Sequence, residues 1–235
     1  MSVRLQVLAD SPIFGALAKE TLPEVDGHCT ARHFDRGASI YHAGDPADSL
    51  YIVAQGGLKL SRPSLDGYDV LVDVVGPGDF LGMLTALGEA TFPDTATALT
   101  ESCVLRFSAQ AFRAVLNQHP QVTLAALDAV SARLAQARRT VRELAADTAQ
   151  QRIGAALLRL ADSLGTPQDA RTHPAAVRIP VPLTQADLAA MAGTTPETVS
   201  RTLARWRSSQ LVATGRGTIT VTDRIGLADA VATAN

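Results

Sequence analysis

Two short, separately capped helices are predicted between Thr184 and Ser208, and no other feature of the chain constrains the fold as tightly. Thr184 and Asp187 have the spacing of a capping box, in which each side chain satisfies a free backbone N–H of the first turn. Gly193 ends that helix. Thr195-Pro196 then supplies a second N-cap followed by proline at the first helical position, where proline is favoured. Two capped helices around a glycine turn predict a helix-turn-helix.

The second of these helices separates into two faces. Val199, Leu203 and Trp206 stand at i, i+4 and i+7 and predict one buried stripe. The other face carries Glu197, Ser200, Arg201, Ala204 and Arg205. The first turns of such a helix enter the DNA major groove, where Arg201 could donate to guanine and Glu197 accept from cytosine. A solvated polar face is the alternative interpretation.

A hairpin is predicted after this helix, with strands Leu211–Thr214 and Thr218–Thr222 around Gly215-Arg216-Gly217. In a winged helix such a turn faces the DNA backbone. Arg216 would then contact a phosphate, which positions the protein but does not read sequence. An ordinary surface arginine is the alternative.

A heptad pattern follows Pro120. Six apolar residues recur at alternating steps of three and four, namely Leu127, Val130, Leu134, Ala137, Val141 and Leu144. This narrow stripe predicts a helix that pairs with its copy in a parallel dimer. One amphipathic helix lying on its own domain is the alternative.

The first half of the chain has a different pattern. Residues Ser11 to His28 are predicted to form short helices. Short apolar runs separated by Gly-rich turns then predict a small antiparallel β-roll. The predicted strands are Ser49–Ala54, Leu58–Ser61, Asp69–Val75 and Ser102–Phe107.

Three segments are therefore expected: a β-roll effector domain over 1–119, a dimerisation helix over 120–146 and a winged helix-turn-helix over 147–235. Residues 1–146 hold 12 Lys and Arg against 16 Asp and Glu, a net charge of −4. Residues 147–235 hold 9 against 7, a net charge of +2, as expected for the part that meets phosphates. No apolar run reaches the roughly 18 residues of a membrane span. We expect a cytoplasmic protein without a membrane partner.

On these residues the chain resembles the CRP/FNR family of bacterial transcription regulators. The resemblance covers nearly the whole length, including Gly56-Gly57-Leu58-Lys59-Leu60, Gly76-Pro77-Gly78-Asp79-Phe80-Leu81-Gly82, the long helix and the helix-turn-helix. It implies an α+β homodimer with an N-terminal double-stranded β-helix, jelly-roll-like and similar to cyclic-nucleotide-binding domains. It also implies a C-terminal winged helix-turn-helix, double-stranded DNA as a partner, and RNA polymerase as a further one.

The spacing Glu197-x-x-Ser200-Arg201 resembles the FNR-like branch of the family, in which these positions read bases. That branch implies TTGA-type half-sites in an inverted repeat. The predicted DNA-binding residues are Thr195, Pro196, Glu197, Thr198, Ser200, Arg201, Arg205 and Arg216.

The effector is not identified by the resemblance. Where cAMP-binding relatives carry Gly-Glu-Leu, this chain has Gly82-Met83-Leu84, and Asp94 stands near the place of their phosphate-binding arginine. Met83 cannot accept a hydrogen bond from a ribose hydroxyl, and Asp94 would repel a phosphate. These residues therefore argue against cAMP as the effector. The predicted effector pocket comprises Gly82, Met83, Leu84, Asp94 and Thr95. A cyclic-nucleotide-responsive regulator with an atypical pocket is the alternative.

Two cysteines, Cys29 and Cys103, are too few for a cysteine-ligated iron–sulfur cluster. Cys103 is predicted to be a buried small apolar residue. Haem stays open, and its candidate axial ligands are His28, His33, His42, His119 and His173. Within the roll only His42 could serve a cupin-type metal enzyme, without a partner at ligand spacing. No catalytic activity is therefore expected.

Overall fold

The computed structural model describes residues 2–63, 69–82, 90–168, 176–215 and 217–233. The chain divides into two compact units. The first unit comprises Met1–Arg62 and Val75–Ala137, and the second comprises Pro63–Val74 and Arg138–Asn235.

Twelve strands and eight helices fall within the described residues. In chain order they are α1 (Val3–Asp10), α2 (Leu22–Asp26), β1 (Cys29–Phe34), β2 (Ser39–Tyr41), β3 (Ser49–Gln55), β4 (Leu58–Pro63), β5 (Asp69–Val75), β6 (Phe80–Leu81), β7 (Thr95–Ala98), β8 (Ser102–Ser108), α3 (Ala109–Gln118), α4 (Pro120–Ala146), α5 (Ala149–Leu164), β9 (Thr166–Pro167), β10 (Val177–Ile179), α6 (Gln185–Met191), α7 (Pro196–Ser208), β11 (Val212–Gly215), β12 (Thr218–Val221) and α8 (Arg224–Ala232).

The N-terminal helices differ from the prediction. Helix α1 lies before Ser11 and is capped by the Ser2 hydroxyl, so the predicted start of helical structure was wrong. Its two buried residues, Val7 and Leu8, are neighbours in sequence and form no i, i+4 stripe, which is why no periodic signal marked it. Only α2 lies within the predicted range.

The first unit is an antiparallel β-roll, as predicted. One sheet has the order β1-β8-β3-β6, and a second places β2, β7 and β4 side by side. Strand β3 is buried on both faces because Leu50 and Ile52 belong to one core cluster while Tyr51 and Val53 belong to another. Successive side chains of a strand point to opposite faces, so β3 separates the two clusters.

The turn between β3 and β4 depends on Gly56. Its φ is +84°, and a Cβ at this position would lie 2.5 Å from the Glu101 carbonyl oxygen. Glycine is therefore required both by the backbone conformation and by the close approach of the β7–β8 connection.

Cys103 does not match its prediction. Its side chain is half-exposed, whereas the neighbours Ser102 and Val104 are buried. The apolar sequence around Cys103 predicted burial, and Leu105 and Phe107, which point to the same face of β8 as Cys103, are buried. Cys103 stands nearer the start of the strand, where that face is only partly covered. Cys29 is the more buried cysteine, at 7% exposure.

The second unit forms a winged helix. Its sheet has the order β11-β12-β10-β9, and α5 begins with a capping box formed by Thr148 and Gln151. Gly154 lets α5 approach its neighbours, since a Cβ there would lie 2.1 Å from Val231 Cγ2 and 3.2 Å from the Trp206 ring. No helix among the described residues has the length and apolarity needed to cross a bilayer.

Candidate nucleic-acid interface and effector cavity

The caps of α6 and α7 hold the helix-turn-helix as predicted. The Thr184 hydroxyl accepts the Asp187 N–H at 3.0 Å, and the Asp187 carboxylate accepts the Thr184 N–H at 2.8 Å. The Thr195 hydroxyl accepts the Thr198 N–H at 3.3 Å, directly before a helix that begins at Pro196. Both helix starts are thus fixed by short-range chemistry.

The turn between the two helices reverses at Gly193, where φ is +55°. The N–H groups of residues 192, 193 and 194 all donate back to carbonyls of α6. This conformation favours glycine and sets the point from which α7 departs.

Helix α7 divides into the two predicted faces. Val199, Leu203 and Trp206 are buried, and so is Thr202, which the sequence pattern did not indicate. The exposed face carries Glu197, Ser200, Arg201, Ala204 and Arg205, with Thr195 and Pro196 exposed at its start and Thr198 half-buried.

Charged groups on the exposed face are arranged by local contacts. The pKa of Glu197 is lowered, mainly by a hydrogen bond from its own backbone N–H and then by the Thr195 hydroxyl. Arg201 Nη2 lies 3.4 Å from the Thr198 hydroxyl, which it can donate to. An ionised carboxylate acceptor and a guanidinium donor are thus presented on one accessible surface.

Arg205 and Arg216 are the two other arginines in the predicted DNA-binding set. The guanidinium of Arg205 donates to the Gln150 side chain on α5, so this arginine is already bound within the unit. Arg216 lies outside the described residues. The strands on either side of it pair as predicted, with Gly215 opposite Thr218.

The predicted stripe on α4 leaves large apolar side chains in solvent. Leu127 is 62% exposed, Leu134 52%, Val141 67% and Leu144 48%. The remaining members differ, since Val130 packs partly against the core of the first unit, whereas Ala137 is exposed. The residues of α4 that are buried in that core are Val122, Ala126 and Ala129.

A cavity of about 470 Å³ opens in the first unit. Its lining comprises Tyr41, Leu60, Arg62, Phe80, Leu81, Gly82, Phe92, Pro93, Asp94, Val130, Arg133, Leu134 and Ala137. Gly82 and Asp94 of the predicted pocket line it, whereas the Thr95 hydroxyl accepts the Ala43 N–H at 3.0 Å. Met83 and Leu84 lie outside the described residues.

Aromatic rings and one carboxyl group form a wall of this cavity. The Tyr41 and Phe92 rings stack with centroids 3.9 Å apart, and the Tyr41 hydroxyl donates to Asp94 at 3.2 Å. Burial raises the pKa of the Asp94 carboxyl, while this hydrogen bond and the charges of Arg62 and Arg133 act in the opposite direction. Burial also raises the pKa of Tyr41, and the Asp94 charge adds to that shift.

Arg133 brings a charge from α4 to the cavity. Its guanidinium lies 3.8 Å from the centre of the Phe80 ring and also donates to the Phe80 carbonyl oxygen. A guanidinium over an aromatic face is a favourable cation–π arrangement. The cavity therefore combines apolar walls with charges of both signs.

The candidate metal and haem ligands are dispersed. Within the described part of the chain, no three His, Cys, Asp or Glu side chains gather as metal ligands. The Cys29 sulfur lies 3.4 Å from Arg4 Nη2, and burial raises the pKa of its thiol to about 11. His33 Nε2 lies 3.9 Å from Cys103 Sγ, and His173 is outside the described residues.

A β-roll with an internal cavity, joined in one chain to a winged helix-turn-helix, defines a two-domain transcription regulator. Residues 31–119 match the family described as "Cyclic nucleotide-binding domain", and residues 151–230 match the "Crp-like helix-turn-helix domain". The chain belongs to the CRP/FNR family of transcription regulators.

Its relatives cover most of the chain. A cyclic AMP receptor protein of Thermus thermophilus is 31% identical over 90% of this chain and 92% of its own length. A CRP-like cAMP-activated global transcriptional regulator of Mycobacterium tuberculosis is 27% identical over 85% and 87%. FixK2 of Bradyrhizobium japonicum shares the fold at a TM-score of 0.73, with 21% identity over 86% of this chain and 96% of its own.

Proposed function

We propose that this regulator is a homodimer that reads an inverted repeat of TTGA-like half-sites through α7. The observation that carries the proposal is the joint exposure of Glu197, Ser200 and Arg201 at the start of a helix fixed by caps. Arg201 would donate to guanine O6 and N7, and Glu197 would accept from cytosine N4. Thr195, Pro196, Thr198, Arg205 and Arg216 would complete the contact surface.

The dimer follows from the apolar stripe on α4. Leu127, Leu134, Val141 and Leu144 are each about half exposed or more, which is costly for four large aliphatic side chains on one helix. Pairing with a second copy would cover them in a parallel coiled coil. Two-fold symmetry then presents two copies of α7 to half-sites about one helical turn apart, which requires an inverted repeat.

We propose further that the cavity of the first unit binds the effector, and that the effector is neither cAMP nor a cysteine-ligated cluster. Two relatives are named for cAMP, but the Asp94 carboxyl lines this cavity, and its charge would repel a phosphate. Arg62 and Arg133 support the alternative, a cyclic nucleotide bound in an atypical way. Titration calorimetry with cAMP and with cGMP tests both ideas. Binding of cAMP would overturn the proposal that the effector is not cAMP, whereas binding of cGMP alone would support the atypical cyclic-nucleotide alternative.

The DNA proposal is tested by gel shift at one fixed salt concentration. The protein should bind a TTGA…TCAA duplex far more tightly than a scrambled duplex of equal length. Equal affinities would contradict base reading by α7. Because activation by such a regulator needs a surface for RNA polymerase, transcription with purified polymerase on the same duplex tests that partner.

A further inference from the structure

One arginine joins the end of the long helix to the turn of the helix-turn-helix. Arg152, in the first turns of α5, donates to three backbone carbonyls. Its Nη1 lies 2.5 Å from the Asp147 oxygen, its Nε 2.6 Å from the Ala192 oxygen and its Nη2 3.0 Å from the Gly193 oxygen. Asp147 directly follows α4, while Ala192 and Gly193 form the turn that precedes α7.

These three carbonyls need an outside donor. Carbonyls at the C-terminal end of a helix have no partner within that helix. The N–H groups of residues 192–194 donate back into α6, but the carbonyls of Ala192 and Gly193 are bound by Arg152. A planar guanidinium presents its donors in a fixed fork, and its charge favours the helix C-terminal end. A lysine ammonium could not match this geometry.

Two further contacts act at the same place. Leu144, at the end of α4, lies so close to Gly193 that a Cβ there would be 2.6 Å from Leu144 Cδ2. Gln150, in the first turn of α5, accepts from Arg205 in the last turn of α7. The first turn of α5 is therefore bonded to the end of α4, to the turn and to the reading helix.

We infer that Arg152 is a positioning residue that sets the direction of α7 relative to the end of α4. The inference rests on the proposed dimeric reading of DNA, because in a dimer this direction determines the distance between the two reading helices. Arg152 is half-buried and its three donors are engaged with the backbone, so it acts without contacting a base. Base contacts tolerate errors of only about 0.5 Å.

The test replaces Arg152 with methionine, which has a similar length and no donors. The matched control is Arg159→Met on the same helix, which removes a 2.9 Å ion pair with Glu143 but leaves the turn untouched. The first measurement, on DNA-free protein, is amide hydrogen exchange at residues 192–194. The second measurement is the spacing ratio. It is the affinity for an inverted repeat with normal half-site spacing divided by the affinity for a repeat with one extra base pair between the half-sites.

Arg152→Met should speed exchange at residues 192–194 and lower the spacing ratio roughly tenfold, the effect of one misplaced base contact. Arg159→Met should change neither. Unchanged exchange, or an unchanged ratio in the folded variant, would overturn the inference. If Arg152→Met does not fold, Arg152→Lys serves instead. Lysine keeps the charge. If exchange at residues 192–194 and the spacing ratio both equal those of the wild type, the inference is overturned, whereas intermediate values would support it.

The two measurements also separate this inference from the proposed function. If the wild type shows no preference for an inverted repeat, the proposed function fails. Exchange at residues 192–194 then still decides whether Arg152 holds the turn.

Discussion

Leu144 Cδ2 lies directly against Gly193, which places the last residue of the α4 stripe on the turn before α7. A Cβ added to Gly193 would be 2.6 Å from Leu144 Cδ2, and Gly193 has a φ of +55°. The residue that ends the predicted dimer stripe and the residue that starts the turn are therefore in van der Waals contact.

Replacing Gly193 with alanine should destabilise the chain for two reasons. The left-handed conformation costs an L-residue about 1–2 kcal/mol, and the new methyl must displace Leu144. In a Leu144→Ala background the second cost disappears while the first stays. Urea unfolding at one protomer concentration should therefore give a smaller penalty for Gly193→Ala in that background, whereas equal penalties would show that the contact carries no strain.

Leu127→Glu should weaken self-association. Leu127 is 62% exposed and does not line the cavity, unlike Leu134, so its effect is confined to the stripe. Ala132→Glu is the control, because Ala132 is exposed about 140° round the same helix. Sedimentation should show the Leu127 variant shifted towards monomer and the Ala132 variant unchanged. Wild-type sedimentation of both variants would assign the stripe to another role.

Arg201→Ala should reduce affinity for the preferred duplex by roughly 1–3 kcal/mol and relax the preference at one G·C pair. Arg207→Ala provides the comparison, because Arg207 lies on the last turn of the same helix and donates to Thr214 at 3.2 Å. Affinities for a set of duplexes that each differ by one base pair should distinguish the Arg201 variant from the Arg207 variant. A uniform loss on every duplex would instead make Arg201 a phosphate contact.

The Asp94 carboxyl should make stability fall as the pH rises. Its pKa is raised from 3.8, chiefly by burial, so the folded chain binds this proton more tightly than the unfolded chain. The free energy of unfolding then decreases from near pH 3.8 up to the folded-state pKa. Asp94→Asn removes the titrating carboxyl, so this variant should lack the pH dependence. The free energy of unfolding of the variant minus that of the wild type should therefore increase as the pH rises.

Tyr41→Phe tests the hydrogen bond that opposes the upward shift in the Asp94 pKa. The Tyr41 hydroxyl lowers the pKa of Asp94 by donating to it, so its removal should extend the decline in stability to higher pH. If plots of the free energy of unfolding against pH run parallel for the wild type, Asp94→Asn and Tyr41→Phe, both expectations are contradicted.

The two cysteines should react at different rates with iodoacetamide near pH 8. Burial raises the pKa of Cys29 to about 11, and only the thiolate is nucleophilic. Cys103 is half-exposed, so mass spectrometry should find it modified first. A Cys103→Ser variant should lose the fast phase, and a fast phase that persists there would show that Cys29 is accessible.

The helix-turn-helix was predictable because its determinants are local. The caps at Thr184 and Thr195, the turn at Gly193 and the buried stripe through Trp206 all lie within a few residues of what they control. Each is a short-range interaction that neighbouring sequence can specify.

Contacts between distant residues left no such signal. Arg152 reaches Gly193 across 41 positions, and Tyr41 reaches Asp94 across 53. The half-exposed position of Cys103 likewise depends on how far along β8 the rest of the roll covers the face that Cys103 shares with Leu105 and Phe107. Gly82 and Asp94 were assigned to the effector pocket by resemblance, whereas the aromatic wall and Arg133 emerge only once the roll is assembled.

Arg205 is bonded to Gln150 before any DNA is present. An unrestrained arginine would lose its rotamer freedom when it met DNA, at a cost of about 0.5–1.5 kcal/mol for one side chain. Here much of that entropy is lost during folding, and the guanidinium keeps further N–H groups for a phosphate or base. In the proposed DNA contact, Arg205 would therefore be an arginine already ordered by a neighbouring helix.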